Sequence, residues 1–131
     1  MRELKKQDMI DILYGCAVLG TGGGGPLEEG LAMMQKHFDN DEVLQLISLD
    51  ELPDDEYVVT PYGCGAPSAT GMNPKFKDLE VSEVVPSVLA MEALEEALGK
   101  KIYAVGSTEL GGANTAEALH AALEKGVPLL D

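Results

Sequence analysis

Aromatic residues are scarce in this chain: tryptophan is absent, and Phe, Tyr and Trp together make up 5% of it. Apolar residues nevertheless make up 45% of the 131 positions, which is enough for one folded domain with a substantial core. The core must therefore be built from Leu, Val, Ile, Ala and Met. This composition argues against a disordered chain, because disordered chains lack such apolar content.

Basic residues are also scarce, with 9 Lys and Arg against 23 Asp and Glu, so that the net charge is −14. Nucleic acids and anionic membrane surfaces both attract basic side chains, and neither is expected as a partner. The acidic residues are spread along the chain, which favours a solvated, soluble surface. A salt-adapted source or a basic partner subunit would explain the same charge.

Cysteines are few, and the sequence has no long apolar run. The two cysteines, Cys16 and Cys64, form no secreted disulfide framework, and the charged N-terminus lacks the apolar region of a signal peptide. No run approaches the roughly 20 apolar residues of a membrane span. The sequence therefore predicts a cytoplasmic protein with reduced thiols and no membrane partner.

Glycine, in contrast, is concentrated in the run Gly20-Thr21-Gly22-Gly23-Gly24-Gly25-Pro26. Ordering five glycines costs about 2.5–5 kcal/mol more than ordering five alanines. Only a close approach of a ligand or chain segment, or a positive φ, offsets such a cost. No Lys-Ser or Lys-Thr follows the run, which excludes a Walker loop, and a predicted helix precedes it where a dinucleotide fingerprint needs a strand.

Two interpretations of the run remain open. The amides of a glycine-rich turn that opens onto a helix N-terminus can hold an anion or a polarised carbonyl group. Alternatively, the run is a tight connection between two helices that packs on a neighbouring segment.

Hydrophobic periodicity predicts an α/β fold: a helical N-terminal hairpin followed by βαβαβ units with a mainly parallel sheet. The predicted helices are 8–19, capped by Asp8, then 26–38, 86–98 and a last helix that begins at an Asn114–Glu117 capping box and stops at Gly126. The predicted strands are 43–49, 57–62, 102–106 and 127–130. The whole of 1–131 is interpreted as a single α/β domain.

Ligands of parallel sheets collect beyond the carboxyl ends of the strands, which here are followed by the loops 63–71 and 106–114. In the first loop, Cys64 is either a nucleophile or, by preference, a small buried cysteine. In the second, Glu109 is either a base or metal ligand, or a solvated loop residue. Gly111 and Gly112 allow a close approach of a ligand, and helix capping is the preferred role of Asn114.

The remaining cysteine and the two histidines are expected to be structural or inert. Cys16 lies on the apolar face of its helix and is predicted to be part of the core. His37 and His120 lie apart on two helices, and His120 is predicted to be exposed beside the apolar stripe. Because no Cys/His spacing pattern is present, no structural zinc site is predicted, and no metal ligand is assigned.

Two motifs together carry a resemblance to a known family. Leu19-Gly20-Thr21-Gly22-Gly23-Gly24-Gly25, followed by Glu109-Leu110-Gly111-Gly112-Ala113-Asn114, resembles the S-methyl-thiohydantoin desulfurase and hydantoin-utilisation family. The resemblance runs from about Asp8 to Asp131. It implies an α/β N-terminal domain, followed in the family by a β-rich C-terminal domain that this chain does not contain.

The family activity is hydrolytic removal of methanethiol from a methylthio-hydantoin ring. The resemblance thus implies a hydrolase, or its N-terminal domain or subunit, that acts on a small cyclic amide such as a hydantoin or methylthio-hydantoin. The alternative is a non-catalytic assembly or regulatory subunit whose glycine loop packs on a partner chain. Expected partners are a small-molecule substrate, the missing C-terminal half or a partner subunit, and further copies of the chain in a homo-oligomer.

The candidate site follows from these motifs and from the carboxylates near them. The catalytic candidates are Glu109 and Asp131, which would activate water. The candidate substrate-binding residues are Thr21, Gly22, Gly23, Gly24, Gly25, Cys64, Gly111, Gly112 and Asn114. The cofactor is unknown: a divalent metal is left open, without an assigned ligand set.

Overall fold

The computed structural model describes residues 1–65 and 85–131. The helices are α1 (Lys6–Leu19), α2 (Leu27–Asp39), α3 (Pro86–Leu98) and α4 (Gly112–Lys125), with a 3-10 turn at Leu49–Glu51. The strands are β1 (Arg2–Leu4), β2 (Leu44–Ile47), β3 (Tyr57–Val59), β4 (Ile102–Gly106) and β5 (Leu129–Leu130). Most of the predicted 63–71 loop lies outside the described residues.

The strands form one five-stranded sheet in the order β1-β2-β5-β4-β3. Strands β2, β5, β4 and β3 are mutually parallel, and β1 pairs antiparallel with β2 at one edge. The segment β3-α3-β4-α4-β5 is the predicted pair of crossovers, so the predicted α/β class is confirmed. Within the described residues, no helix is long and apolar enough to cross a membrane.

The N-terminal edge of the sheet differs from the prediction, which placed no strand before the first helix. Residues Arg2–Leu4 form β1, and Leu4 is fully buried. The first helix begins at Lys6, so the prediction that Asp8 is its N-cap was wrong. Instead, the Asp8 carboxylate accepts a hydrogen bond from the Lys5 amide at 3.0 Å, which lowers the pKa of Asp8.

Helix α4 is the centre of the domain. It packs against the other three described helices and against β2, β4 and β5. Eight of its 14 residues are buried: the small residues Gly112, Thr115, Ala116, Ala118, Ala121 and Ala122, together with Leu119 and His120. The prediction that His120 is exposed was therefore wrong. Cys16, which was predicted to lie in the core, is only half-buried.

A buried carboxylate ties α3 to the elements around it. Glu95 is 6% exposed and accepts hydrogen bonds from Lys101 Nζ at 2.8 Å, from the Ile102 amide at 3.0 Å and from Lys125 Nζ at 3.1 Å. The hydrogen bonds from Lys101 and from the Ile102 amide are the main causes that lower the pKa of Glu95 to about 2.

We expect Glu95→Gln to destabilise the domain at neutral pH and to flatten the acid side of its stability curve. The ionised carboxylate is favoured in the folded state, so its contribution is complete above the ordinary pKa of 4.5 and is lost as the pH falls towards about 2. Urea unfolding measured across that pH range checks this.

The matched control is Glu96→Gln, which changes an exposed neighbour on the same helix. The control is expected to keep the acid slope of the unmodified chain. A Glu95→Gln chain with an unchanged slope would contradict the role assigned to Glu95.

A cleft at the carboxyl ends of two strands as the candidate functional site

The two glycine-rich motifs pack directly on each other. The carbonyl oxygen of Gly24 accepts hydrogen bonds from the amides of Ala113 at 3.2 Å and Asn114 at 2.9 Å. A Cβ atom at Gly24 would lie 2.5 Å from the backbone nitrogen of Gly111, closer than real Cβ contacts allow. The neighbouring-segment interpretation therefore accounts for part of the glycine run, because the first turn of α4 is the segment that it approaches.

The glycines of the second motif serve the same close approach. Gly111 and Gly112 are buried, and a Cβ atom at Gly112 would lie 2.5 Å from the backbone nitrogen of Leu27 at the start of α2. Of the predicted binding residues, Gly111 packs on the glycine run and Gly112 packs on the start of α2, and neither is part of the described lining of the cleft.

The start of α4 differs from the predicted capping box. The helix begins at Gly112, and Asn114 lies inside its first turn and makes no capping hydrogen bond. The capping prediction was wrong because the Gly24 carbonyl, supplied by another segment, accepts from the first free amides in place of a side chain. Asn114 Oδ1 accepts from the Gly63 amide at 2.9 Å, and its Nδ2 donates to the Glu109 carbonyl at 3.3 Å.

Asn114 thereby joins the loops that follow β3 and β4, and a cleft of about 1020 Å³ opens beside it. Its lining combines the glycine run, the α1 and α2 residues next to it, both post-strand loops and the first turns of α4: Ala17, Gly22, Gly23, Gly24, Gly25, Pro26, Leu27, Glu29, Met33, Tyr62, Gly63, Cys64, Gly65, Glu109, Ala113, Asn114 and Glu117. The cleft lies at the sheet edge where ligands of parallel sheets bind.

The glycine run presents bare backbone to this cleft. Gly22 has a φ of +98°, and a Cβ atom there would meet no other atom within 4 Å, so the space beside it is open. Among the described residues, no backbone acceptor pairs with the amides of Gly22, Gly24 and Gly25. With respect to this part of the chain, these N–H groups can therefore donate to a ligand oxygen or nitrogen.

The charged side chains in the described lining of the cleft are all acidic. Glu29, Glu109 and Glu117 line it, and the described lining contains no Lys, Arg or His. An anionic ligand would meet only repulsion from these side chains, whereas a neutral polar ligand or a cation would not. Glu109 also holds a left-handed backbone with a φ of 51°, a conformation that costs about 1–2 kcal/mol for a residue other than glycine.

The other predicted residues fall partly inside this site. Cys64 lines the cleft and is exposed, so the preferred interpretation of it as a buried cysteine was wrong. Thr21 and Asp131 are not part of the lining. The exposed Asp131 follows β5, and its amide donates to the Ile47 carbonyl at 2.8 Å.

The sequence patterns did not single out Glu29 and Glu117, two carboxylates that line the cleft. Glu117 lies four residues after Ala113 on α4, and Glu29 lies four residues before Met33 on α2, so each pair shares one helix face. This helical spacing was the available signal. It became informative only once Ala113 was known to face the glycine run.

The fold and the site define an α/β domain with a glycine-lined, acidic cleft at the carboxyl edge of its parallel strands. The chain belongs to the S-Me-THD-like family, whose N-terminal domain model matches residues 7–131. No curated protein is significantly similar to it.

A crystal structure of a protein from Chromobacterium violaceum is similar to the whole chain, covering 100% of it with a TM-score of 0.68 at 23% sequence identity. At this identity the similarity shows the fold alone. The chain covers 34% of that protein, about a third of its length.

Proposed function

We propose that this domain is the substrate-binding part of a hydrolase that acts on a small neutral cyclic amide, such as a hydantoin or a methylthio-hydantoin. The observation that carries the proposal is the composition of the cleft. As far as residues 1–65 and 85–131 show it, the lining combines glycine amides that pair with no backbone acceptor with carboxylates, and it contains no basic side chain. Neutral rings with carbonyl and N–H groups match such a lining, because they accept from amides and donate to carboxylates.

The chemistry assigned to the site is addition of water to the ring carbon that bears the methylthio group. Glu109 takes a proton from the water molecule while the water oxygen forms a bond to that ring carbon. The free amides of Gly22, Gly24 and Gly25 stabilise the negative charge that develops on the ring. The carbon–sulfur bond then breaks, and the proton passes to the departing sulfur to give methanethiol and the hydantoin.

The proposal is tested by comparing the affinities of a neutral and a negatively charged ligand. In calorimetric titrations of the chain, we expect hydantoin to bind measurably more tightly than N-carbamoylglycine, its ring-opened product, which carries a carboxylate at neutral pH. The three cleft carboxylates repel that product, and the difference should shrink as salt is added. Equal affinities for the two compounds would count against the assigned substrate class.

A non-catalytic role in assembly is the second candidate, and an apolar surface on α1 favours it. Val18 is 76% exposed and Leu19 is 71% exposed, next to the glycine run. The occupant that we assign to this surface is the C-terminal part of a longer family protein, because the chain spans about a third of its structural relative. Sedimentation of the chain with that part, produced separately, would show a complex that Val18→Ser weakens.

A further inference from the structure

A second cluster of chemically active side chains lies between α2 and α4, apart from the lining of the cleft. Nε2 of His37 and Nδ1 of His120 are 2.7 Å apart, and Glu124 Oε1 is 3.6 Å from the same His37 nitrogen. Within the described residues, this is the group of His, Cys, Asp and Glu side chains whose donor atoms converge closely enough to hold a metal ion. The expectation that the two histidines lie apart was wrong.

We infer that this cluster binds one divalent transition-metal ion through His37 Nε2, His120 Nδ1 and a Glu124 carboxylate oxygen. Two imidazoles and one carboxylate suit zinc and its first-row neighbours better than magnesium or calcium, which prefer oxygen ligands. The proposal does not rest on the function of the cleft.

The present geometry is close to what such an ion requires. Zinc–nitrogen distances of about 2.0–2.1 Å at tetrahedral angles place two ligand nitrogens about 3.3 Å apart. His37 Nε2 and Glu124 Oε1 are 3.6 Å apart, slightly more than that, and the two imidazole nitrogens, now 2.7 Å apart, must separate by about 0.6 Å. All three donor atoms lie within 4.8 Å of one another, so a small rotation of the partly exposed Glu124 side chain completes the set. Because His120 and Glu124 are four residues apart on α4, they project from the same face of that helix.

A carboxylate behind the first ligand strengthens the assignment. Glu42 Oε2 lies 2.7 Å from His37 Nδ1, so that nitrogen carries the proton and donates it to Glu42. The lone pair of His37 is thereby fixed on Nε2, which faces His120 and Glu124. Metal-binding histidines are held in this way by carboxylates that fix the tautomer and raise the basicity of the ligand.

The hydrogen bond between the imidazoles marks the place of the ion. With the His37 proton on Nδ1, the bond at 2.7 Å requires His120 to carry its proton on Nδ1 and to donate it to His37 Nε2. When a metal ion takes the place of that bridging proton, neutral His120 adopts its other tautomer, in which the proton is on Nε2 and the Nδ1 lone pair faces the ion. Two nitrogen lone pairs thus converge on one point in an otherwise tightly packed helix interface.

An exposed lysine competes for the third ligand. Lys36 Nζ lies 3.1 Å from Glu124 Oε1, and its side chain is 69% exposed, so it can swing away into solvent. The Glu124 and Glu42 side chains are also partly exposed, which leaves a path of entry for the ion. The ammonium group thus pairs with the carboxylate that would be the third ligand of the ion.

Zinc titration of the chelator-treated chain tests the inference. The visible absorption spectrum of the chain loaded with Co²⁺ reports the coordination geometry. We expect one ion per chain. Its affinity should fall by at least about 100-fold in His120→Gln and by about 10–100-fold in Glu42→Gln, which leaves all three ligands in place. Lys36→Met should bind about 3–10-fold more tightly, because it removes a competing positive charge.

Three matched variants locate the ion. Glu124→Gln should weaken binding, whereas Glu96→Gln, which changes an exposed glutamate on α3, should not. The Cys16→Ser, Cys64→Ser chain should bind as tightly as the unmodified chain. Because the chain has two histidines, imidazole NMR signals show directly whether both respond to zinc and whether a variant remains folded.

Binding that survives Glu124→Gln and His120→Gln unchanged would overturn the site, as would the absence of stoichiometric zinc binding. Uniform weakening in Glu96→Gln and Glu124→Gln would show that zinc is attracted only by the general negative charge, and this result also contradicts the inference.

Discussion

Replacing Gly30 with alanine is expected to destabilise the domain by about 3 kcal/mol or more, a large share of the 5–15 kcal/mol that usually stabilises a domain. A Cβ atom at Gly30 would overlap the carbonyl oxygen of Gly112 and would lie 3.0 Å from the side chain of Ala116. Backbone atoms of a packed helix cannot move aside as a flexible side chain does. Helices α2 and α4 must therefore separate, and urea unfolding with circular dichroism measures the loss.

Gly15→Ala is the matched control, because Gly15 lies inside α1 and a Cβ atom there would meet no other atom within 4 Å. Alanine is favoured over glycine in a helix by about 0.5–1 kcal/mol, so this variant should be slightly more stable than the unmodified chain. A Gly30→Ala chain that unfolds at the same urea concentration as Gly15→Ala would contradict the close packing of α2 on α4.

On the proposed mechanism, replacing Glu109 with glutamine in a two-domain family protein that carries this domain should lower kcat by about 10²–10⁴-fold, the usual contribution of a general base. Glutamine has nearly the same shape but cannot accept a proton from water. The carbonyl group of residue 109 still accepts from Asn114, so the loop should remain in place. Steady-state release of methanethiol measures turnover, and thermal unfolding verifies the fold.

Two further variants separate catalysis from structure. Glu109→Gly relieves the backbone strain at a φ of 51°, so it should be at least as stable as the unmodified protein and yet be inactive. Glu28→Gln removes an exposed glutamate that is not part of the cleft lining and should leave turnover unchanged. Normal turnover in Glu109→Gln would remove Glu109 from the mechanism.

Local sequence signals predicted the second half of the fold well. The bounds 86–98 and 102–106 agree with α3 and β4, and Gly99 and Gly126 both adopt the left-handed conformation expected after a helix. The end of a helix at a glycine and a short run of apolar strand residues are both set by residues that are adjacent in the chain, so the sequence shows them directly. The three-residue strand β1 was missed because its pairing with β2 involves residues 40 to 44 positions away.

The sequence predicted where in the fold to look for a site, but not which contacts shape the cleft found there. The rule that ligands bind at the carboxyl ends of parallel strands predicted a site at the loops of Gly63–Cys64 and Glu109. The contact between the Gly24 carbonyl and the first turn of α4 joins segments that are distant in the chain. It gives Asn114 a bridging role that no local pattern indicates.

The burial of the histidine pair could not be predicted from hydrophobic periodicity. His120 was expected to be exposed because it lies beside the apolar stripe of α4. A stripe predicts exposure beside it only when one face of the helix is solvated. Helix α4 is covered by α1, α2, α3 and the sheet, so His120 is buried, and burial lowers its pKa.

An amide NMR titration of the 131-residue chain with hydantoin tests whether the cleft binds a small neutral cyclic amide through the glycine run and the two post-strand loops, as we propose. We expect chemical-shift changes concentrated at Gly22–Gly25, Gly63–Gly65 and Glu109, with smaller changes when N-carbamoylglycine is added. Shifts confined to other parts of the chain, or no shift at saturating hydantoin, would contradict it.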